Sequence, residues 1–182
     1  MLAVESLWQE AHNFNVSEIA YTVLNDHRFT IWTGSGESFS HHYGKGGLAQ
    51  HTLEVVQLCL TNNLSLGVKL DQKKIYLAAL FHDVGKIWDY EPTDAEYQNW
   101  QCAKHKKTIH HISRSAIIWS EAVKKANWAE PDIDDVLHAI LAHHCMPDWG
   151  SPVMPRTRLA WLLHLCDALS ARMDDCDRRT KF

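Results

Sequence analysis

Apolar residues recur every three to four positions along most of the chain, which is the spacing of amphipathic α-helices. This pattern predicts an all-α fold, and no segment shows a convincing strand alternation. Ser17 and Asp71 precede apolar runs and are predicted to cap two of the helices. The predicted helices cover residues 3–13, 17–27, 47–62, 72–84, 106–126, 131–145 and 155–174.

Three stretches lack this periodicity and predict loops: residues 29–46, 84–101 and 146–155. They are rich in glycine, proline, serine or aromatic residues. Loops that carry polar and aromatic groups beside a reactive centre are where substrate contacts usually lie. The aromatic residues that we consider for stacking against a base are Trp32, Tyr43, Trp88 and Trp149.

The composition predicts one globular domain over residues 1–182, with 46% hydrophobic and 22% charged residues. No apolar run approaches the ~18 residues of a membrane span, and the net charge of −4 argues against a large nucleic-acid surface. The N-terminus lacks the pattern of a secretory signal, and the five cysteines form no CxxC pair. We therefore expect a cytoplasmic protein without a membrane partner.

Several of the thirteen histidines fall on the inward faces of successive predicted helices. His51 shares a face with Leu48 and Val55, and His82 ends an apolar helix. Buried imidazoles and carboxylates need partners, and a divalent cation satisfies several of them at once. Asp83, which follows His82, could bridge two cations.

Later helices add further candidates. His111 lies nearer than His110 to an apolar face, and the pair His143-His144 follows Ile140 on another. Asp167 borders an apolar stripe, where an unpaired carboxylate would be costly. The sequence thus predicts a buried metal site, with His144 as an alternative to His143. The predicted ligands are His51, His82, Asp83, His111, His143 and Asp167.

Four segments within residues 41–174 resemble HD-domain metal-dependent phosphohydrolases, most closely the catalytic domain of the YhaM-type 3′→5′ exoribonucleases. They are GGLAQHTLEVV, LAALFHDVGKIWDY, LAHHCMPDWGSPVMP and LLHLCDALSARM. The resemblance implies a helical bundle with a metal site in its centre, preceded by N-terminal helices and a loop over residues 1–40. The family's first histidine falls on His51, its doublet on His82-Asp83, its auxiliary histidines on His111 and His143, and its last aspartate on Asp167.

The resemblance also implies that metal-activated water cleaves a phosphate ester of a nucleotide, or of the 3′ end of a short oligonucleotide. Manganese is the first choice of metal, with iron, cobalt, nickel or zinc as alternatives, and two ions are expected to share Asp83. We expect Asp83 and Lys86 to be catalytic. The expected substrate contacts are Lys86, His42, His144 and Arg172. Because only about 40 residues precede the motif, we expect no OB-fold domain to grip long RNA.

Two other functions stay open at this stage. Inositol oxygenase and related di-iron enzymes use a similar order of histidine and aspartate ligands, so the sequence is also similar to an HD-type di-iron oxygenase. Proteins associated with relaxases of mobile elements share the GGL and HTLEV pattern, so a metal-stabilised regulatory module of a phage or mobile element without turnover also stays open, although the complete ligand set and Lys86 argue against it. Assembly of identical chains is compatible with any of the three.

Overall fold

The computed structural model describes residues 2–67, 69–124 and 126–179, and helices build its core. This confirms the all-α prediction. A 3₁₀ turn covers Pro147–Trp149. The helices are α1 (Leu2–Asn13), α2 (Ser17–Leu24), α3 (His27–Ile31), α4 (Gly47–Ser65), α5 (Gln72–Phe81), α6 (Lys86–Asp89), α7 (Lys104–Thr108), α8 (His111–Val123), α9 (Glu130–Ala142) and α10 (Arg158–Arg179).

Helix α5 lies at the centre of the bundle, because every residue from Ile75 to Phe81 is buried. It packs against α4 and α9, and α10 packs against both of these helices. A helix that is apolar on all sides is stable only when other helices surround it. The end of α5 therefore delivers the residues that follow it to the middle of the molecule. Of the described helices, none is long and apolar enough to cross a membrane.

Side-chain caps explain where some helices begin. Asp71 accepts a hydrogen bond from the backbone N–H of Lys73 at 2.8 Å, which confirms the predicted cap of α5. The predicted cap at Ser17 is wrong, since Val16 holds the N-cap position and the Ser17 hydroxyl bonds the His12 ring instead. The predicted helix 17–27 ends early, at Leu24, because Asp26 caps a separate helix, α3, that extends to Ile31 in the predicted loop.

The predicted helix 106–126 is also interrupted. α7 ends at Thr108 and α8 begins at His111, and between them His110 has a φ of 71°. That backbone angle is left-handed and incompatible with a continuous right-handed helix. The break turns the chain so that α8 starts with the His111 side chain directed into the bundle.

The loop after α6 contains a short antiparallel hairpin that the pattern analysis did not predict. Strand β1 (Tyr90–Pro92) pairs with β2 (Trp100–Cys102), with Glu91 opposite Gln101. Three-residue strands are too short to show an alternating pattern. The loop before α4 packs on this hairpin, because the Trp32 ring lies 4.9 Å from that of Trp100.

Candidate metal centre

Two groups of ligand atoms meet where α5 ends. In the first ligand group, the His51 Nε2 lies 3.0 Å from Asp167 Oδ1 and 3.4 Å from Asp83 Oδ2. The His82 Nε2 lies 3.4 Å from the same Asp83 oxygen and 3.7 Å from Asp167 Oδ1. Four of the predicted ligands thus lie close together. They come from α4, from the C-terminal end of α5 and from α10.

The second ligand group surrounds the other oxygen of Asp83. The Nε2 atoms of His111 and His143 lie 3.4 Å and 3.6 Å from Asp83 Oδ1. His144 belongs to the group as well, since one ligand atom from each of the four residues lies within 4.8 Å of the others. Both His143 and His144 therefore belong to this group. Whether one or both bind depends on how many nitrogen ligands one ion coordinates.

The donor set fits divalent cations. Among the described residues, Asp83 Oδ1, His111 Nε2 and His143 Nε2 are buried and have no hydrogen-bond partner. Unpartnered buried lone pairs are costly unless a cation accepts them. Imidazole nitrogens and carboxylate oxygens without thiolates suit manganese, iron, cobalt, nickel or zinc.

The imidazole rings are held so that their Nε2 atoms point to the centre. The Nδ1 atoms of His82 and His143 lie 2.7 Å from the carbonyl oxygens of Ala79 and Ile140. A carbonyl only accepts, so Nδ1 carries a hydrogen and Nε2 is the ring nitrogen that can bind a metal. The chain's own helical turns fix this tautomer.

Carboxylates orient the other two rings. Asp89 is fully buried and accepts hydrogen bonds from His111 Nδ1 at 2.9 Å and from His105 Nδ1 at 2.7 Å. On the other side, His51 Nδ1 lies 3.1 Å from the Ser170 hydroxyl oxygen, whose hydrogen goes to Glu54 at 2.9 Å. These positioning residues lie outside the predicted site. The helical pattern of the sequence gives no signal for His105.

Lys86 is buried beside the shared carboxylate, with its Nζ 2.6 Å from Asp83 Oδ2. It is therefore not a solvated lysine at a helix end. Gly85 allows this arrangement because a Cβ there would lie 2.2 Å from the His111 carbonyl oxygen. The Gly85 N–H donates to the Ser115 hydroxyl at 2.9 Å, which ties the turn after Asp83 to α8.

The protonation states follow from burial and close charges. Burial alone would raise the pKa of Asp83, but the Lys86 ammonium and His82 outweigh it and hold that pKa well below its usual value. Burial lowers the pKa of His111 to about 4, so its ring is neutral. Burial opposes protonation of His82, but Asp83 and Asp167 raise its pKa to about 10. Cation binding at the first group must therefore displace a proton from His82.

A cavity of about 310 Å³ opens from the cluster to solvent. The predicted substrate contacts Lys86, His144 and Arg172 line it. His42 is not among the lining residues: its ring is buried beside His51 with Nε2 2.9 Å from Glu54, while the neighbouring His41 lines the cavity. Of the four aromatic candidates, Trp149 alone is among the lining residues.

The other aromatic candidates have structural contacts elsewhere. The Trp32 indole N–H donates to the Tyr90 carbonyl, and the Tyr43 hydroxyl accepts from the Trp100 backbone N–H. The guanidinium groups of Arg28 and Arg114 lie 4.7 Å and 5.3 Å from the centroid of the Trp88 ring.

Comparison with known proteins gives one family. The family model of the HD domain matches residues 48–172 of the sequence. This range is more than half of the chain and includes all six predicted ligands. No solved structure matches the chain.

Proposed function

Because the chain belongs to the HD domain family, we propose that it hydrolyses a phosphate ester of a nucleotide, or the 3′-terminal phosphodiester of a short oligonucleotide. Membership in this family supports a metal-dependent phosphohydrolase activity in general. The observation that carries the finer proposal is the Asp83 carboxylate, which two ligand groups share and beside which the Lys86 ammonium lies. Cations and an ammonium group in one cavity suit a phosphoryl anion.

Two divalent cations would be held by the two ligand groups, with manganese as the first choice. When bound, they would lower the pKa of a water and neutralise charge on the phosphate oxygens. Asp83 would serve both ions through its two oxygens. The hydrogen bonds from Nδ1 of His82 and His143 to backbone carbonyls direct the Nε2 atoms toward the place that an ion would occupy.

The residues around the cavity would bind and orient the substrate. The Lys86 ammonium can bind a non-bridging phosphate oxygen, because it reaches the cavity from its position beside Asp83. His144 and His41 line the walls and can hydrogen-bond further phosphate or sugar oxygens. At the rim, Arg172 is highly exposed and Trp149 is 61% exposed, so both side chains are accessible to a base or a second phosphate.

The size of the cavity favours a small substrate. Its volume of about 310 Å³ is at the lower end of small-molecule sites. The net charge of −4 does not favour the binding of a long polyanion. Affinity should therefore come from one or two phosphates and one stacked base.

A kinetic length series tests the proposal. The manganese-loaded protein should release product from mononucleotides, dinucleotides and short oligonucleotides, with kcat/KM nearly independent of length and weakly dependent on salt. A rise in kcat/KM with every added nucleotide, strongly weakened by salt, would mean a processive nuclease. An iron-loaded protein with a mixed-valent paramagnetic signal and no phosphoester hydrolysis would favour the oxygenase.

A further inference from the structure

A chain of hydrogen bonds leads from the second ligand group to an arginine outside it. His111 Nδ1 and His105 Nδ1 both donate to the buried Asp89 carboxylate, at 2.9 Å and 2.7 Å. Beyond His105, the Nε–H of Arg114 donates to His105 Nε2 at 3.2 Å. Arg114 is therefore linked to His111 through two intermediate side chains, those of His105 and Asp89.

The chemistry of these groups fixes the direction of the hydrogen bonds. A guanidinium only donates, so His105 Nε2 must accept and carries no hydrogen. The Asp89 carboxylate accepts three hydrogen bonds, one of them from the backbone N–H of His111, so the hydrogen of the His105 ring is on Nδ1. His105 is thus a neutral ring that donates to Asp89, and the charge of the carboxylate is left to act on His111.

The surroundings of Arg114 explain why its charge acts on His105. Arg114 lies in the first turn of α8, where a cation is unfavourable because the N-terminal end of a helix is itself positive. Among the described residues, its side chain donates one hydrogen bond, to His105. Arg28 contacts the same Trp88 ring as Arg114, but its guanidinium is bound to the Asp26 carboxylate. The charge of Arg28 is thus neutralised, whereas that of Arg114 meets a neutral imidazole.

We propose that Arg114 is a positioning residue for the second ligand group, because it keeps a proton off His105 and so directs the charge of Asp89 to His111. Without Arg114, a proton on His105 Nε2 would make His105 a cation paired with Asp89. The carboxylate would then polarise the His111 ring less, and that ring would bind a cation more weakly. This role rests on the metal centre of the proposed function and is independent of the substrate.

Nitrogen-15 NMR of the histidine side chains tests the first step without any metal. In the metal-free wild type at neutral pH, His105 should carry a hydrogen on Nδ1 and none on Nε2. In Arg114→Met, both ring nitrogens should carry a hydrogen. His105→Asn, whose amide can still donate to Asp89, identifies the signal by its disappearance. A hydrogen on His105 Nε2 in the wild type, or a neutral ring in Arg114→Met, would overturn the proposal.

Calorimetric titration with Mn²⁺ and absorption spectra with Co²⁺ test the second step. Arg114→Met should weaken binding at the second ligand group about fivefold, less than the roughly 10- to 100-fold typical of a direct partner of a metal-bound histidine. It should leave the first ligand group unchanged. Arg28→Met is the matched control, because Arg28 also contacts Trp88 but donates its hydrogen bonds to Asp26, and it should leave both groups unchanged. Circular dichroism and the Tm of each variant report folding.

A double-mutant cycle separates this route from a general effect of charge. His105→Asn has no ring to protonate, so in that background Arg114→Met should change the affinity of the second ligand group by less than about twofold. An equal loss in both backgrounds, no loss in the wild-type background, or the same loss in Arg28→Met would overturn the proposal. Failure of the wild type to bind any cation would overturn both this role and the proposed function. Binding in the expected pattern without phosphoester hydrolysis would support the role of Arg114 and count against the hydrolase.

Discussion

Removing the carboxylate of Asp89 should weaken one metal site and spare the other. Asp89 is fully buried and accepts hydrogen bonds from the backbone N–H of His111 at 3.0 Å, from its Nδ1 at 2.9 Å and from His105 Nδ1 at 2.7 Å. In Asp89→Ala the His111 ring loses the acceptor that fixes its tautomer and its direction. Of the two ligand groups that share Asp83, His111 belongs to the second.

The expected loss can be bounded in two ways. Removal of an orienting partner behind a metal-bound histidine typically costs 10- to 100-fold in metal affinity, or about 1.4–2.7 kcal/mol. A hydrogen bond to a charged group contributes about 1.5–3 kcal/mol, which agrees with that range. Asp89→Asn keeps one acceptor oxygen, so we expect a smaller loss.

Calorimetric titration of chelator-treated protein with Mn²⁺, and absorption spectra with Co²⁺, would measure the two affinities separately. In Asp89→Ala the affinity of the second ligand group should fall by the stated factor, and the first ligand group should keep its affinity. Circular dichroism controls for misfolding.

Glu54→Gln is the matched control, because Glu54 acts through Ser170 on His51 in the first ligand group. It should weaken the first site and leave the second unchanged. Equal weakening of both sites by both variants would refute the reasoning that each carboxylate orients one ligand of one site.

Three further results are expected. Asp83→Ala should lose both metals and all hydrolysis, whereas His111→Ala should lose mainly one metal; equal loss by elemental analysis would contradict the shared role of Asp83. Lys86→Met should lower kcat/KM for a phosphoester about 100-fold with metal content retained, and unchanged kinetics would exclude phosphate binding by Lys86. Burial holds the pKa of His111 at about 4, below its ordinary 6.5. As the pH falls, the unfolded chain therefore binds a proton at this histidine at a higher pH than the folded chain does. Between pH 6.5 and about pH 5, the free energy of unfolding of the metal-free wild type, measured in urea, should fall by about 2 kcal/mol more than that of His111→Gln. Equal losses in these two proteins would contradict a buried neutral ring.

Periodicity along the chain was sufficient to predict the long helices and the inward direction of most candidate ligands, but not the breaks before α3 and α8. His51 and His82 lie at helical offsets from apolar residues, and these offsets survive in any packing of the helices because they are local. The preference for His111 over His110 has the same origin. Asp71 could be identified as a cap because its partner, the Lys73 N–H, lies two residues away.

Contacts between segments that are distant in sequence had no such local pattern. Asp89 is the last residue of α6, the one-turn helix after the doublet, and nothing in its neighbours indicates that the start of α8 will cover it. The exchange of His42 for His41 at the cavity depends on the turn before α4, where His42 has a φ of 51°. The three-residue strands are stabilised by pairing and by the Trp32–Trp100 contact rather than by their own sequence.

The sequence by itself therefore determined which side chains face inward, because burial follows helical phase. The tertiary structure decided which of them share Asp83, which carboxylate stands behind each imidazole, and which histidine reaches the cavity. Those relations depend on how α4, α5, α8, α9 and α10 approach one another, and that approach is set by the packing of many side chains together.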